Sequence, residues 1–167
     1  MSSLNLEIQE TSANPVDLVE KLAVANDWAY QRQGDDELAA ELAGQWCHYK
    51  LWFAWHPEIG VMQVSCALDM KVPAKKRQHV HTLLAVANEK LWIGHFDLWA
   101  DEGVPVFRHA VLVRDGHGVS GDVLEDLVDI AVGECERFYP AFQFCIWGGK
   151  DPMEAIAAAL LETEGEA

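Results

Sequence analysis

The residues best suited to chemistry in this chain are its 7 histidines. On a helix His79 and His81 would point about 200° apart, so they cannot share a metal ion. His95 and His109 flank a turn at residues 101–103, and symmetric strand pairing would place the two imidazoles opposite each other. Such a pair could bind a metal or sense pH. No acidic or cysteine ligand follows at an obvious spacing, so His95 and His109 are weak metal candidates and we expect no metal and no cofactor.

Sequence motifs of common catalytic sites are missing from the chain. It has no GxGxxG or GxxxxGK[ST] phosphate loop, no HExxH zinc motif, no GxSxG nucleophile and no EF-hand loop. The best remaining candidate for an unrecognised active site is Arg108 and His109 with a carboxylate such as Asp97. The sequence therefore favours a protein that is not an enzyme.

A basic cluster is the second local feature. Lys71, Lys75, Lys76 and Arg77 supply a third of the 12 basic residues, and they lie where a helix is predicted to begin. The helix dipole disfavours cations there by a few tenths of a kcal/mol each. Either the chain's own carboxylates pair with these side chains, or Lys75, Lys76 and Arg77 form a docking site for an acidic partner or a second copy.

Aromatic side chains crowd one predicted strand, residues 45–55. Alternation places Tyr49 and Phe53 on one face and Trp46 and Trp52 on the other. One face must meet the helices; the other is either covered as well or forms a contact surface. Tryptophan and tyrosine are preferred anchors in such surfaces, and Arg108 on a neighbouring strand would lie at the rim.

Charge and composition restrict the partners and the compartment. With a net charge of −15, the surface repels phosphate backbones and anionic lipids, so we expect no nucleic-acid and no membrane partner. The first 14 residues resemble neither a signal peptide nor an anchor. The four cysteines lie within apolar runs without a CxxC pair, which predicts buried free thiols in a reducing cytoplasm.

Periodicity predicts an α+β domain. Helices are predicted from Asn14-Pro15, Pro73, Ser120 and Asp151-Pro152, with a kink or restart at Pro140. Strands are predicted at residues 28–33, 37–43, 45–55, 61–70, 95–100 and 104–113. Hairpins rather than βαβ units imply an antiparallel sheet with helices mainly on one face. We assign residues 1–13 to a flexible arm and residues 14–163 to one domain.

Three stretches of the sequence resemble the YbjN family, whose members are described as bacterial sensory transduction regulators: residues 71–96, including ANEKLW and GHF, residues 107–113, and residues 124–163, including ERFYPAF. The resemblance implies a fold like that of the type III secretion chaperones, often dimeric, and it brings no catalytic residues. The resulting hypothesis is a chaperone-like adaptor that binds a protein segment. The alternative is a small-molecule or metal-sensing regulator that uses the His95 and His109 region.

Overall fold

The structure is a computed structural model that describes residues 14–113 and 119–165. The arm predicted at residues 1–13 and the loop at 115–118 lie outside the described residues. The helices are α1 (Pro15–Ala25), α2 (Arg77–Glu89), α3 (Gly121–Ile146) and α4 (Pro152–Gly165), with a 3₁₀ turn at Ala74–Lys76. The strands are β1 (Ala29–Gln33), β2 (Glu37–Ala43), β3 (His48–His56), β4 (Val61–Ala67), β5 (His95–Trp99) and β6 (Val104–Leu112).

The strands form one six-stranded sheet in the order β1-β2-β3-β4-β6-β5. Every neighbouring pair is antiparallel. The first four strands follow the chain as a meander, and the β5–β6 hairpin joins β4 through β6. The predicted α+β class with an antiparallel sheet is confirmed.

The helices pack on one face of this sheet. Alternate residues of β3 (Tyr49, Leu51 and Phe53) point into the core and are almost fully buried. From the helix side, the ring of Phe138 in α3 contacts Phe96 edge-on with centroids 5.5 Å apart. None of the described helices is both long enough and apolar enough to cross a bilayer.

Helix starts follow the predicted caps. The Asn14 side chain accepts a hydrogen bond from the Val16 amide at 2.9 Å, and the Ser120 hydroxyl accepts one from the Val123 amide at 3.2 Å. These bonds satisfy amides that have no partner inside the helix. The cysteines are free thiols, and all but the half-buried Cys47 are buried.

Helix α3 continues through Pro140 to Ile146, so the chain does not restart a new helix at this proline. Proline in a helix interior removes one hydrogen bond and costs about 3 kcal/mol. The residues around it are buried against the core: Phe138, Tyr139, Ala141, Phe142, Cys145 and Ile146. Because burying one large apolar side chain stabilises by roughly 1.5–3 kcal/mol, this run offsets the cost of the proline. Residues 142–146 therefore belong to the end of α3.

Candidate binding face of the sheet

The second face of the sheet is covered by no helix among the described elements, and we call it the open face. Side chains that alternate with the core residues point there. On β3 these include His48, Lys50 and Trp52. The strand register aligns Trp52 with Ala39 on β2 and with Ser65 on β4, and Ser65 in turn with Arg108. On the two strands next to it, Trp52 thus has the small neighbours Ala39 and Ser65.

A pair of tryptophans organises the open face. Trp52 on β3 and Trp99 on β5 belong to strands three positions apart, yet their ring centroids lie 5.3 Å apart at an interplanar angle of 54°. Flat strands this far apart would be separated by about 14 Å. The two side chains therefore reach toward each other over the short residues of the strands between them. In agreement, Val106 and Ala67 are 0% and 5% exposed although no helix covers them.

Two hollows flank Trp52. The larger, about 430 Å³, lies on the Trp99 side and is lined by His48, Lys50, Trp52, Ala67, Leu68, Asp69, Met70, Lys71, Trp99, Glu102 and Val104. The other, about 350 Å³, extends toward β1 and is lined by Ala29, Tyr30, Gln31, Ala39, Ala40, Glu41, Lys50 and Trp52. Trp52 and Lys50 line both hollows. An apolar floor with two lysines and several carboxylates at its rim can hold apolar side chains and pair with charges of either sign.

Arg108 lies on the open face one strand beyond Ser65. Its guanidinium forms an ion pair with Asp97, with N and O 3.3 Å apart. Both side chains are partly exposed, so the pair contributes only about 0–1 kcal/mol to stability. Arg108 therefore lies on the open face, and one of its contacts is already made within the chain.

Trp46 does not lie on the open face, and its predicted place beside Trp52 is wrong. Strand β3 begins at His48 rather than Gln45. Trp46 precedes the strand and stacks on Tyr139 of α3, with centroids 6.1 Å apart and planes 5° from parallel. It thus packs against the helical layer and cannot serve the same surface as Trp52.

The carboxylate of Glu136 in α3 binds the loop before β3, a contact that the sequence analysis did not predict. Its carboxylate accepts hydrogen bonds from the Gln45 amide at 2.5 Å and from the Tyr49 hydroxyl at 2.7 Å. The Trp46 amide approaches the same group at 3.4 Å. Burial, together with the bond to Glu136, raises the pKa of Tyr49 far above its usual value. The partners are about 90 residues apart in sequence, so no local pattern could indicate the contact.

The basic cluster divides into residues with different surroundings. Arg77 donates a hydrogen bond to the Ala100 carbonyl oxygen at 2.5 Å and lies against the turn at Gly103. It therefore fixes the β5–β6 turn to the start of α2. Lys71 lines the larger hollow. Lys75 is exposed, Lys76 is half-buried, and neither has an ion pair within the described part of the chain.

His95 and His109 do not face each other, and the predicted symmetric pairing is wrong. His95 lies opposite Arg108, whereas His109 lies opposite Val64 on β4. His95 shares the open face with Arg108, the residue it pairs with. His109 follows Arg108 on the same strand, so its side chain points to the helical side. Burial lowers the pKa of His109, and the charge of His95 lowers it further. Within residues 14–113 and 119–165, no group of three ligand side chains could hold a metal ion.

Comparison with solved structures identifies the class of fold. The structure resembles "Crystal structure of YbjN, a putative transcription regulator from E. coli", with a TM-score of 0.52 and 11% sequence identity over 93% of this chain and 95% of that chain. At this identity the likeness concerns the fold alone. No curated protein matches the sequence.

The sequence profile of the YbjN family, described as "Putative bacterial sensory transduction regulator", matches residues 15–144. The matched range covers well over half of the chain. The chain therefore belongs to the YbjN family, as the resemblance indicated.

Proposed function

We propose that this chain is a non-catalytic regulatory adaptor of the cytoplasm that binds a protein partner on the open face of its sheet. The observation that carries the proposal is the contact between Trp52 and Trp99 beside the two hollows. A rigid aromatic ridge between apolar depressions is the kind of surface in which anchor residues of a partner become buried. The description of the family as regulators supports a role without catalysis.

The shape and charge of the open face suggest the partner's chemistry. Each hollow has room for one or two large side chains, and Trp52 stands between the hollows. A segment with two apolar side chains spaced across Trp52 would fit, with an acidic group near Lys50 or Lys71. Direct contact with nucleic acid is disfavoured, because the chain's net charge is −15. A role in transcription would therefore act through a protein.

The test compares Trp52→Ala with Trp147→Ala. Trp147 is 59% exposed at the end of α3, so its replacement removes a similar side chain away from the open face. Each variant is used to capture partners from a lysate of the source cells, and the captured proteins are quantified by mass spectrometry. We expect a specific protein that is retained by Trp147→Ala and at least about tenfold depleted by Trp52→Ala, which corresponds to roughly 1.4 kcal/mol of binding free energy.

A photo-reactive residue in place of Ala39 locates the contact. Ala39 is half-buried beside Trp52, so the probe should cross-link to the same captured protein. A probe at the exposed Glu125 of α3 should not. Equal capture by both tryptophan variants, or cross-linking at Glu125 alone, would refute binding on the open face.

A small-molecule regulator is the second candidate, and we propose a different site for it from the His95 and His109 region. His95 and His109 point to opposite faces, so they form no shared pocket. The hollow between Trp52 and Trp99 has a volume of about 430 Å³, which lies within the range of roughly 300–1,000 Å³ typical of ligand pockets. Thermal-shift screening with metabolites and metals tests this reading. A ligand whose stabilisation is lost in Trp99→Ala supports it, whereas a shift that depends on His109 would point to another site.

A further inference from the structure

The two edge strands of the sheet, β1 and β5, differ in how their outer backbone groups are used. At β5 the side chain of Asn88 in α2 accepts from the Phe96 amide at 2.6 Å and donates to the Phe96 carbonyl oxygen at 3.0 Å. The Asp97 carboxylate accepts from the Leu98 amide at 2.8 Å. Side chains therefore occupy the outer side of β5, which protects this edge from another strand.

Strand β1 has the opposite arrangement. The Trp55 amide of β3 donates to the Asp36 carbonyl oxygen at 2.8 Å, so even-numbered residues of β2 turn their backbone groups toward β3 and odd-numbered residues turn theirs toward β1. Odd-numbered residues of β1 lie opposite odd-numbered residues of β2. The N–H and C=O groups of Tyr30 and Arg32 therefore point outward. No group in the described part of the chain bonds to these four backbone groups, which we call the β1 edge.

The side chain of Arg32 is held away from the β1 edge. Its guanidinium forms ion pairs in α1 with Asp17 at 2.8 Å and with Glu20 at 2.9 Å. The same group donates to the carbonyl oxygens of Gly34 and Asp35. These contacts fix the long side chain against α1 and the turn after β1, so it does not cover the backbone groups.

Apolar groups flank the β1 edge on both faces. On the open face, the hollow of about 350 Å³ beside Trp52 extends to β1, where Gln31 lines it. On the helical side, Tyr30 is 39% exposed, and Val24, one turn after Glu20 on the same face of α1, is 64% exposed. An added strand would lie about 4.8 Å beyond β1. Its side chains would enter the hollow on one face and contact Tyr30 and Val24 on the other.

The turn that follows β1 is acidic. Asp35, Asp36 and Glu37 are consecutive and exposed, and none of them forms an ion pair with another described residue. Three neighbouring carboxylates without a counter-charge attract a cation, and salt screens this attraction. A segment that lies along β1 meets the turn at one of its ends.

We propose that an extended segment of a partner protein adds to the sheet at the β1 edge, with apolar side chains on both of its faces and a lysine or arginine beside residues 35–37. This segment is the part of the open-face partner that enters the hollow beside Trp52, so the inference rests on the proposed function. Main-chain hydrogen bonds to Tyr30 and Arg32 supply affinity, and the flanking side chains select the sequence. The acidic turn and the net charge of −15 favour a basic segment over a second copy of this chain.

A displayed library of random peptides of about ten residues, the length of a long strand, serves as the probe. Peptides are selected on the immobilised wild-type chain, and the enriched ones are titrated. Their sequences should join an apolar run to a lysine or arginine. Tyr30→Pro removes an outward N–H where an edge strand tolerates proline. It should weaken binding at least about tenfold relative to Tyr30→Thr, which also shortens the side chain but keeps the N–H. Equal binding to both variants, or no enrichment, would overturn the proposal.

Amide exchange followed by NMR examines the β1 edge in the wild-type chain. In the free chain the Tyr30 and Arg32 amides should exchange rapidly, whereas the Phe96 amide, bonded to Asn88, should exchange slowly. A saturating enriched peptide should slow exchange at Tyr30 and Arg32 at least about tenfold and leave Phe96 unchanged. Slow exchange at Tyr30 and Arg32 in the free chain would mean that another part of the chain or a second copy already covers the edge, which would overturn the proposal.

A pair of charge variants checks the acidic turn. Asp35→Asn combined with Asp36→Asn should weaken peptide binding several-fold in about 0.05 M salt, and the effect should disappear in about 0.5 M salt. The matched control is Glu125→Gln combined with Asp126→Asn, because both residues are exposed on α3 and the change in net charge is the same. Equal weakening by the two pairs would contradict a cation beside the turn.

The β1 edge and the open face fail separately. Peptides that bind Trp52→Ala as tightly as wild type, but lose affinity for Tyr30→Pro, would support the β1 edge and contradict the proposed function. Peptides that need Trp52 but bind Tyr30→Pro and Tyr30→Thr equally would support the open face and overturn the β1 edge. Urea midpoints of each variant, compared with wild type, confirm that folding is retained.

Discussion

The contact between Glu136 and Tyr49 gives the sharpest prediction about stability. The Tyr49 side chain is 0% exposed, and its hydroxyl donates to Glu136 at 2.7 Å. Glu136→Ala would leave this hydroxyl without its partner. A buried polar group that loses its hydrogen bond costs about 1–3 kcal/mol, and a bond to a charged group contributes about 1.5–3 kcal/mol. We therefore expect Glu136→Ala to lower the free energy of unfolding by about 2–3 kcal/mol.

A double-mutant cycle separates the pair from other losses. Tyr49→Phe alone should cost about 1–1.5 kcal/mol, because the carboxylate keeps its amide donors in the loop. When the hydroxyl is already absent, Glu136→Ala should cost less, so the two changes should couple by about 1–2 kcal/mol. Urea denaturation at neutral pH measures all four chains. Glu134→Ala is the matched control, because its ion pair with Arg137 at 3.4 Å lies on the helix surface and should contribute less than about 1 kcal/mol.

Two results would refute this reasoning. If Glu136→Ala and Tyr49→Phe add within about 0.5 kcal/mol, the hydroxyl and the carboxylate are not energetically coupled. If Glu134→Ala is as destabilising as Glu136→Ala, the loss belongs to the charge of α3 rather than to the loop contact.

Three further predictions concern pH and backbone strain. Because its folded pKa is raised, Tyr49 favours the folded state below its unfolded pKa of about 10, and the stability that it contributes should fall above that pH. In Tyr49→Phe the free energy of unfolding from urea denaturation should therefore decrease less steeply above about pH 10. The pKa of His109 is lowered, so its contribution is present above about pH 6.5 and is lost as the pH falls; His109→Asn should reduce the loss of stability between neutral pH and about pH 5. Gly103→Ala should lower the thermal midpoint more than Gly34→Ala, because both have positive φ, whereas only at Gly103 would a Cβ meet Arg77, at 2.9 Å; equal shifts would refute a packing role for Arg77.

Local signals in the sequence predicted the elements well. Asn14 and Ser120 cap helices because their side chains satisfy amides within three residues, and this chemistry needs no distant partner. Likewise, the alternation along residues 45–55 placed Tyr49 and Phe53 together on one face of the strand, and that face is the buried one in the structure. The α+β class followed from the order of these elements.

Register and long-range contacts could not be predicted in the same way. The turn between β5 and β6 holds four residues, 100–103, between Trp99 and Val104. Moving His95 from a partnership with His109 to one with Arg108 is a shift of one residue, and such a shift reverses the face of a side chain. Trp46 lies outside the strand predicted for it, because Glu136, which is far along the chain, binds the loop before β3. Neither effect has a signal within the segment that it changes.

The strand order also has a consequence for how the chain folds. Strands β1 to β4 pair with their neighbours in sequence, and so do β5 and β6, so each group can form from local contacts. The pairing of β4 with β6, which includes Val61 opposite Leu112, closes a loop that contains α2 and β5. Closing this long loop costs more chain entropy than closing the short turns between the other strands. We therefore expect two early-forming units that dock at this seam late in folding. During synthesis, β4 would stay unpaired on one side until β6 emerges from the ribosome.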